Sequence, residues 1–546
     1  MNPFPEIATE FLTGAVRFVI PEVILLGVAC LLFVQAVLLP ARWLSVVLGL
    51  GGIVAAAIVA LVFDVRGSEV AAFWEIGAKA DAPRTLASID PTGAASFVRW
   101  LALASGFLFV LMCWRELTWD TAGEYVACVL VLTTGVSLVG RVNDLVSLFL
   151  SLEMVSIPTY VLLYLPSRTR ESQESAVKYF LLSVLSSGVL LFGFSYLYGV
   201  AGSTNLSAIA STLTTAHKTD VSPLVLVGIV MAIAGLGFRI AAVPFHFYAP
   251  DVYQGAPTGV VAQLAFVPKV AGFVALAKVL GLLDPFGATG YELPFDAART
   301  LIPLTLWVLA AVTMTVGNAL ALLQNNLKRL FAYSGIAHTG YMLLGLVVAS
   351  ALPAATDPLS PPIQSGIDSV LFYLAAYGLM TVGAFAVLMY LSGGDREAVT
   401  VDDLAGLGQS RPFAAALLAL FLVSMIGLPL TAGFVGKFQL FLGAFDAVAP
   451  SGSKSMYRVL VGVAAVNAAV AAVYYLRMIA AMYQRTSLHP EKIPARGYFA
   501  MAAALLCAGG TIFFGLYPQP LAKFARQSAP LEDSRPTPAP RPLASN

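Results

Sequence analysis

Long apolar stretches separated by short polar ones dominate this chain. About 20 apolar residues cross a 30 Å hydrocarbon layer as a helix, and by that measure fourteen spans are predicted: 18–39, 43–63, 95–114, 121–140, 142–165, 173–200, 223–250, 258–282, 299–322, 327–351, 364–392, 412–446, 457–484 and 498–517. No ten-residue alternation suggests a membrane barrel, so the class is an all-α membrane protein. Spans 7 and 12 are irregular. Span 7 carries Pro244 within GFRIAAVPFHFYAP, and proline lacks a backbone donor and clashes with the preceding turn, so the helix is expected to kink or unwind near it. Span 12, at 35 residues, would be about 50 Å long if straight, so Gly427, Leu428 and Pro429 are expected to break it. Backbone groups freed inside hydrocarbon are tolerated only beside protein or a water-filled cavity, so both breaks predict an internal polar path.

The pattern also repeats. NDLVSLF (Asn143 to Phe149) returns as NNLKRLF (Asn325 to Phe331) at an offset of 182, and KYFLLSVLSSGVLLFG from Lys178 returns loosely as LFYLAAYGLMTVGAFAV from Leu371. Spans 4 to 8 and 9 to 13 thus read as two copies of a five-span unit. Five is odd, so the copies enter the membrane from opposite faces, the inverted-repeat plan of transporters with sites between discontinuous helices. The expected organisation is 1–120 for three leading helices, 121–282 for the first repeat, 299–484 for the second, and 485–546 for the last helix and a short tail.

An even number of spans puts both termini on one side. Lys and Arg number eleven in the loops after odd-numbered spans and eight after even-numbered ones, so the positive-inside rule puts both termini on the outer side of the membrane. The N-terminal stretch has Glu6 and Glu10 and no basic region before its first apolar run, which reads as a retained span.

Composition supports this class and removes others. Of 546 residues 59% are hydrophobic and 11% charged, with a mean hydropathy of +0.84, against about 25% charged in ordinary soluble domains. A net charge of +1 gives no nucleic-acid signal. Cys30, Cys113, Cys128 and Cys507 sit singly in apolar runs without metal spacing, and read as small core residues. The glycines near Gly49 lack a Walker lysine and read as close helix packing. His217 and His489 fall in loops and read as solvated.

Ionisable residues inside spans carry the chemistry. Each costs about 2.5 to 3.5 kcal/mol at a span centre on insertion scales, so a series of them needs a function. Glu153 lies midway along span 5 with Ser156 and Tyr160 on the same stripe. Lys269, His338 and Lys437 lie deep in spans 8, 10 and 12, while Arg239 and His246 flank Pro244. A carboxylate facing a lysine holds both charged, and burial brings lysine toward exchanging protons near neutrality; this is a proton relay in outline. Lys178 follows Glu174 at i+4, which fits an interfacial pair as well as a channel role. Lys328 and Arg329 begin span 10 and fit either an edge marker or the path. Lys278 is close enough to its span's end to snorkel. Glu22 and Arg477 receive no role from the sequence.

The runs GFRIAAVPFHFYAPDVYQGAP, LSLEMVSIPTYVL, AVKYFLLSVLSSG, NNLKRLFAYSGIAHTGYML and GLPLTAGFVGKF together resemble the antiporter-like membrane subunits of proton-pumping NADH:quinone oxidoreductase, respiratory complex I. The resemblance covers about residues 120 to 485. It implies a proton-translocating, non-redox subunit of that enzyme, with Glu153, Lys178, Lys269 and Lys437 as proton-transfer residues. It also implies that NADH, FMN, iron–sulfur clusters and quinone sit in partner subunits and no cofactor in this chain. Partners would be the other membrane and peripheral subunits and membrane lipid, with no nucleic acid. Arg239 stands where the family pattern has lysine, and a guanidinium does not readily give up its proton, so there it fixes a charge or steers Glu153. Lysine at 437 and the short tail after span 14 favour the N-type branch over sisters with glutamate in span 12 or a long lateral helix. The rival reading is a cation/proton antiporter subunit without redox coupling. Reporter fusions check the topology: those after Arg170 and Arg411 should report the cytoplasm and one at Asn546 the opposite side, and a cytoplasmic C-terminus would mean a span count wrong by an odd number.

Overall fold

The computed structural model describes residues 19–65, 93–115, 117–118, 120–167, 169–215, 223–282, 296–350, 366–392, 398–447, 454–486 and 497–528. Glu6, Glu10, His217, His489 and the proline-rich tail from Pro530 lie outside them. Twelve described helices are long and apolar enough to cross a membrane. The shorter apolar helices Pro223–Arg239 and Pro412–Ile426 supply the broken spans 7 and 12, which completes the fourteen. Spans 8 (Thr258–Gly281), 10 (Leu327–Ala349) and 11 (Gly366–Leu391) are 94% buried and form the centre, whereas spans 6 (Arg170–Ala201) and 13 (Ser455–Gln484) lie at the periphery.

The first break begins earlier than the proline suggests. The helix of span 7 ends at Arg239, Ala241 takes a left-handed φ of 54°, and the Val243–Pro244 peptide is cis. Two tight turns close the helix end, with Ala241 N donating to Phe238 O at 2.9 Å and Ala242 N to Gly237 O at 2.8 Å; the orphan carbonyls of a helix terminus are satisfied this way. Pro244 therefore falls inside the interruption, and helix resumes as Ala249–Gly255 before span 8. The second break matches expectation. Pro412–Ile426 stops at Gly427 with φ 90°, a conformation cheap only for glycine, and Thr431 caps the next half, Ala432–Asp446.

The internal repeat has a backbone signature. Asp144 bridges to Asn205 at the start of span 5, and Asn326 bridges to Thr400 at the start of span 10. Leu145 N donates to Thr204 O and Leu327 N to Val399 O, each at 2.8 Å. The residues preceding spans 5 and 10, which share the Asn-rich motif, thus close the same turn in each half.

Spans 1 (Ile20–Leu38), 3 (Gly93–Met112) and 4 (Ala122–Arg141) are tied by a buried ion cluster. Arg99 donates to both carboxylate oxygens of Glu22, at 2.8 and 2.7 Å, and Ser137 Oγ donates to Glu22 Oε1 at 2.5 Å. Arg141 stands 3.9 Å away. Glu22 is thereby explained. Arg477 donates to Leu322 O and Gln324 O, where the helix of span 9 (Asp296–Leu322) leaves carbonyls unpaired. Lys278 donates to Val142 O at 2.9 Å, past the end of span 4. Cys113, Cys128 and Cys507 are buried as expected, while Cys30 is exposed.

Breaking a buried ion pair from one side leaves a charge without compensation and costs about 3 to 5 kcal/mol. Arg99→Met should therefore lower the thermal stability of the assembled protein sharply, and Glu22→Gln added to it should recover part of the loss. Equal melting of Arg99→Met and wild type would show that the pair contributes nothing.

Candidate functional site: a buried polar path

The path begins beside the first break. Arg239 is the last residue of its helix, so its guanidinium lies at the negative end of the helix dipole. From there it reaches span 5 (Leu145–Tyr164) and span 6. It donates to Leu152 O at 3.0 Å, to Ser156 Oγ, to Glu153 Oε1 at 2.7 Å and to Ser187 Oγ at 3.1 Å. Ser187 Oγ donates to the same Glu153 oxygen at 2.6 Å. Tyr160 Oη lies 2.8 Å from Ser183 Oγ and extends the stripe by one turn. Charge-assisted bonds of this kind are about twice as strong as neutral ones, and four acceptors leave Arg239 little freedom.

Lys269 begins the second part. Its ammonium donates to Gly335 O, stands 3.4 Å from Tyr377 Oη and lies 5.0 Å from that ring's centre. Gly335 permits this approach, because a Cβ there would lie 2.9 Å from Lys269 Nζ and 3.0 Å from Tyr377 Oη. Thr339 Oγ1 lies 2.7 Å from Ile240 O and 3.1 Å from Gly335 O. Thr339 therefore links a carbonyl of the first break to the carbonyl that holds Lys269.

His338 is enclosed by phenols. Its Nδ1 is 2.7 Å from Tyr373 Oη and its Nε2 3.2 Å from Tyr475 Oη, which also bonds Ser334 Oγ. The rings of Tyr377 and Tyr341 flank it at 5.2 and 5.9 Å. Beyond it, Lys437 lies 4.8 Å from the Tyr341 ring and donates to Met425 O at 2.8 Å and Ile426 O at 3.1 Å, the last carbonyls of the half-helix before Gly427. A cation at a helix C-terminus is electrostatically favoured.

Not every expected residue joins this path. Lys178 does not reach Glu153; its ammonium pairs with Glu174 at 2.7 Å and Asp251 at 3.4 Å, because its side chain leaves span 6 toward the aqueous end. Lys328 is buried and donates to Ala256 O at 2.8 Å, below the same charged group. His246 sits half-buried in the first break, its Nδ1 buried without a hydrogen-bond partner. The sequence reading missed Tyr341, Tyr373, Tyr377 and Tyr475; the i, i+4 spacing of Tyr373 and Tyr377 was the available signal. It also missed Asn318, which joins Tyr341 Oη at 3.2 Å. Among the described residues no group of three or more His, Cys, Asp or Glu could hold a metal ion.

Comparison with known proteins matches this geometry to a family. A family model described as NADH:quinone oxidoreductase/Mrp antiporter, TM, matches residues 142–452. The NADH-quinone oxidoreductase subunit N of Trichlorobacter lovleyi is 34% identical over 96% of this chain and 99% of its own length. A chain of respiratory complex I from Thermus thermophilus superposes with a TM-score of 0.72 at 28% identity, covering 93% of this chain and 100% of that one. A chain of the Mrp complex from Dietzia sp. superposes at 0.74 with 18% identity, covering 95% and 98%, a likeness of fold. The motif-bearing halves, their breaks and these matches agree: the chain belongs to the NADH:quinone oxidoreductase/Mrp antiporter transmembrane family.

Proposed function

We propose that this chain is the proton-translocating, non-redox membrane subunit, of N type, of a bacterial NADH:quinone oxidoreductase. The observation that carries the reading is the buried polar path from the Glu153–Arg239 pair through Lys269 and His338 to Lys437. It crosses from one repeat to the other, taken as residues 121–282 and 299–484. Relatives that match nearly the whole chain are named for NADH-quinone oxidoreductase, which favours this reading over an antiporter without redox coupling. Electron transfer, with NADH, FMN, iron–sulfur clusters and quinone, belongs to partner subunits. Both termini then face the periplasm.

In this reading Arg239 supplies a fixed charge beside Glu153, and Lys269 and Lys437 exchange protons through His338 and its tyrosines. Lys437 contacts the Tyr341 ring directly, and water bridges the separations along the path that lie beyond hydrogen bonding. A rearrangement in neighbouring subunits that loosens Glu153 from Arg239 alters the field at Lys269, and the proton moves on. His246 and Lys328 line the approach to this path and Lys178 its outer end.

Lys269 is the decisive position. It lies eleven residues from Thr258 and from Leu280, about 16 Å of helix rise either way, so snorkelling does not bring its ammonium to headgroups. Methionine matches its length and cannot titrate. Lys269→Met should assemble and lose proton pumping coupled to quinone reduction. Pumping at wild-type stoichiometry in sealed vesicles would make Lys269 a structural charge and route the path around span 8.

Arg239 yields a second expectation. Arg239→Lys keeps a cation within reach of Glu153 and should retain pumping, whereas Arg239→Ala leaves the carboxylate without its cation and should impair it. Equal pumping by both variants would make Arg239 a bystander.

A further inference from the structure

A cavity of about 360 Å³ opens where the two repeats meet, lined by Glu171, Glu174, Lys178, Asp251, Gln254 and Lys328 among others. Its wall from the first repeat is the start of span 6, and its wall from the second is the start of span 10. Between them lies the short helix Ala249–Gly255 that follows the first break. Asp251 joins all three. Its Oδ1 accepts from Arg329 Nη1 at 2.5 Å and its Oδ2 from Lys178 Nζ at 3.4 Å. Arg329 also donates to Gln254 Oε1 at 3.0 Å, and Lys328 to Ala256 O at 2.8 Å. The far end of the short helix is closed against span 6, since a Cβ at Gly255 would lie 2.2 Å from Ser175 Oγ and 2.6 Å from Glu171 O.

From these contacts we infer that Asp251 is a positioning residue, an electrostatic latch that holds the short helix between the two repeats and sets how far the cavity opens toward the buried path. The inference rests on the proton-translocating reading above. Lys178 has two acceptors, Glu174 at 2.7 Å and Asp251 at 3.4 Å. On Glu174 it stays within the wall of span 6; on Asp251 it spans the cavity. Arg329 keeps Asp251 on the second repeat in both cases. Burial pushes the Asp251 carboxyl up, but Arg329 and Lys178 outweigh that and hold it below the usual carboxylate range, so the latch is charged at neutral pH.

Depth gives the latch its leverage. From Lys178 to Ser187, which bonds Glu153, is nine residues of span 6, about 13 Å of rise. From Lys328 to Gly335, which accepts from Lys269, is seven residues of span 10, about 10 Å. Both parts of the path therefore lie under the same cavity at similar depth. The short helix is continuous with the break whose Ile240 carbonyl meets Thr339, so moving it disturbs the junction between them.

The test uses the intact complex in inside-out vesicles, with the four native cysteines replaced and Glu171→Cys as a reporter in the cavity. Labelling by a charged, membrane-impermeant maleimide should be about fivefold faster with Asp251→Asn, the effect of losing one half-exposed ion pair on an opening equilibrium. Arg329→Gln should accelerate it equally, the double variant should add nothing further, and Asp251→Glu should restore both the slow rate and the pumped protons per electron. An unchanged rate in assembled Asp251→Asn, or additive effects in the double variant, would overturn the latch. The labelling rate does not depend on pumping, so failure of the Lys269 experiment would remove the proton path while leaving this result to be judged separately.

Discussion

A carbonyl freed inside a hydrocarbon layer has no water to bond; in span 7 the amides of Ala241 and Ala242 take the carbonyls of Phe238 and Gly237, and in both breaks a cation stands at the broken C-terminus. In span 7 the cation is the helix's own last residue, Arg239. In span 12 it is Lys437, reaching back from the following half-helix to Met425 O and Ile426 O. The two solutions differ in how tightly they hold. Arg239 is held by four acceptors on two neighbouring spans, whereas Lys437 rests on two carbonyls and a tyrosine ring. The charge of the first half is therefore paired with a carboxylate, and that of the second is held by carbonyls and a ring.

Lys269 links these regimes because it belongs to one repeat and is bound by the other. Span 8 closes the first five-span unit, yet its ammonium sits on Gly335 of span 10, where the lack of a side chain lets the two come together. Thr339, one turn along the same helix, meets the Ile240 carbonyl of the first break. A change in the shape of that break thus reaches Lys269 through three hydrogen-bonding contacts.

The fourteen spans and the repeat were legible because hydrocarbon thickness sets helix length and a recurring Asn-rich motif precedes the same turn twice. Gly427 also gave its break away, since a left-handed turn there calls for glycine. The first break does contain its proline, but the helix ends five residues earlier: the left-handed residue is Ala241, which carries no such mark, and proline only shows where helix cannot continue. Depth in a span was legible, but direction was not. Lys178 therefore fitted a channel role as well as a pair with Glu174, and it makes that pair and also reaches Asp251. The buried phenols around His338 gave no signal beyond the i, i+4 spacing of Tyr373 and Tyr377, and Arg99 could be matched to Glu22 only once spans 1 and 3 were seen side by side.

The lack of a carboxylate beside the lysines of the path, among the described residues, is itself informative. Among the described residues neither Lys269 nor Lys437 has a carboxylate within ion-pair distance, and His338 stands between them among tyrosines. Two ammonium groups in one low-dielectric cluster repel each other, and phenols and carbonyls stabilise each without neutralising it. Occupation of one site by a proton therefore opposes occupation of the other. In the proton-translocating reading proposed above, such a pair acts in sequence, each arriving proton displacing the one ahead of it, with the Glu153–Arg239 pair at the far end biasing which site fills first. A carboxylate beside either lysine would pin its charge and break that order, which accounts physically for a path built from lysine, histidine and tyrosine with its one strong ion pair kept at the margin.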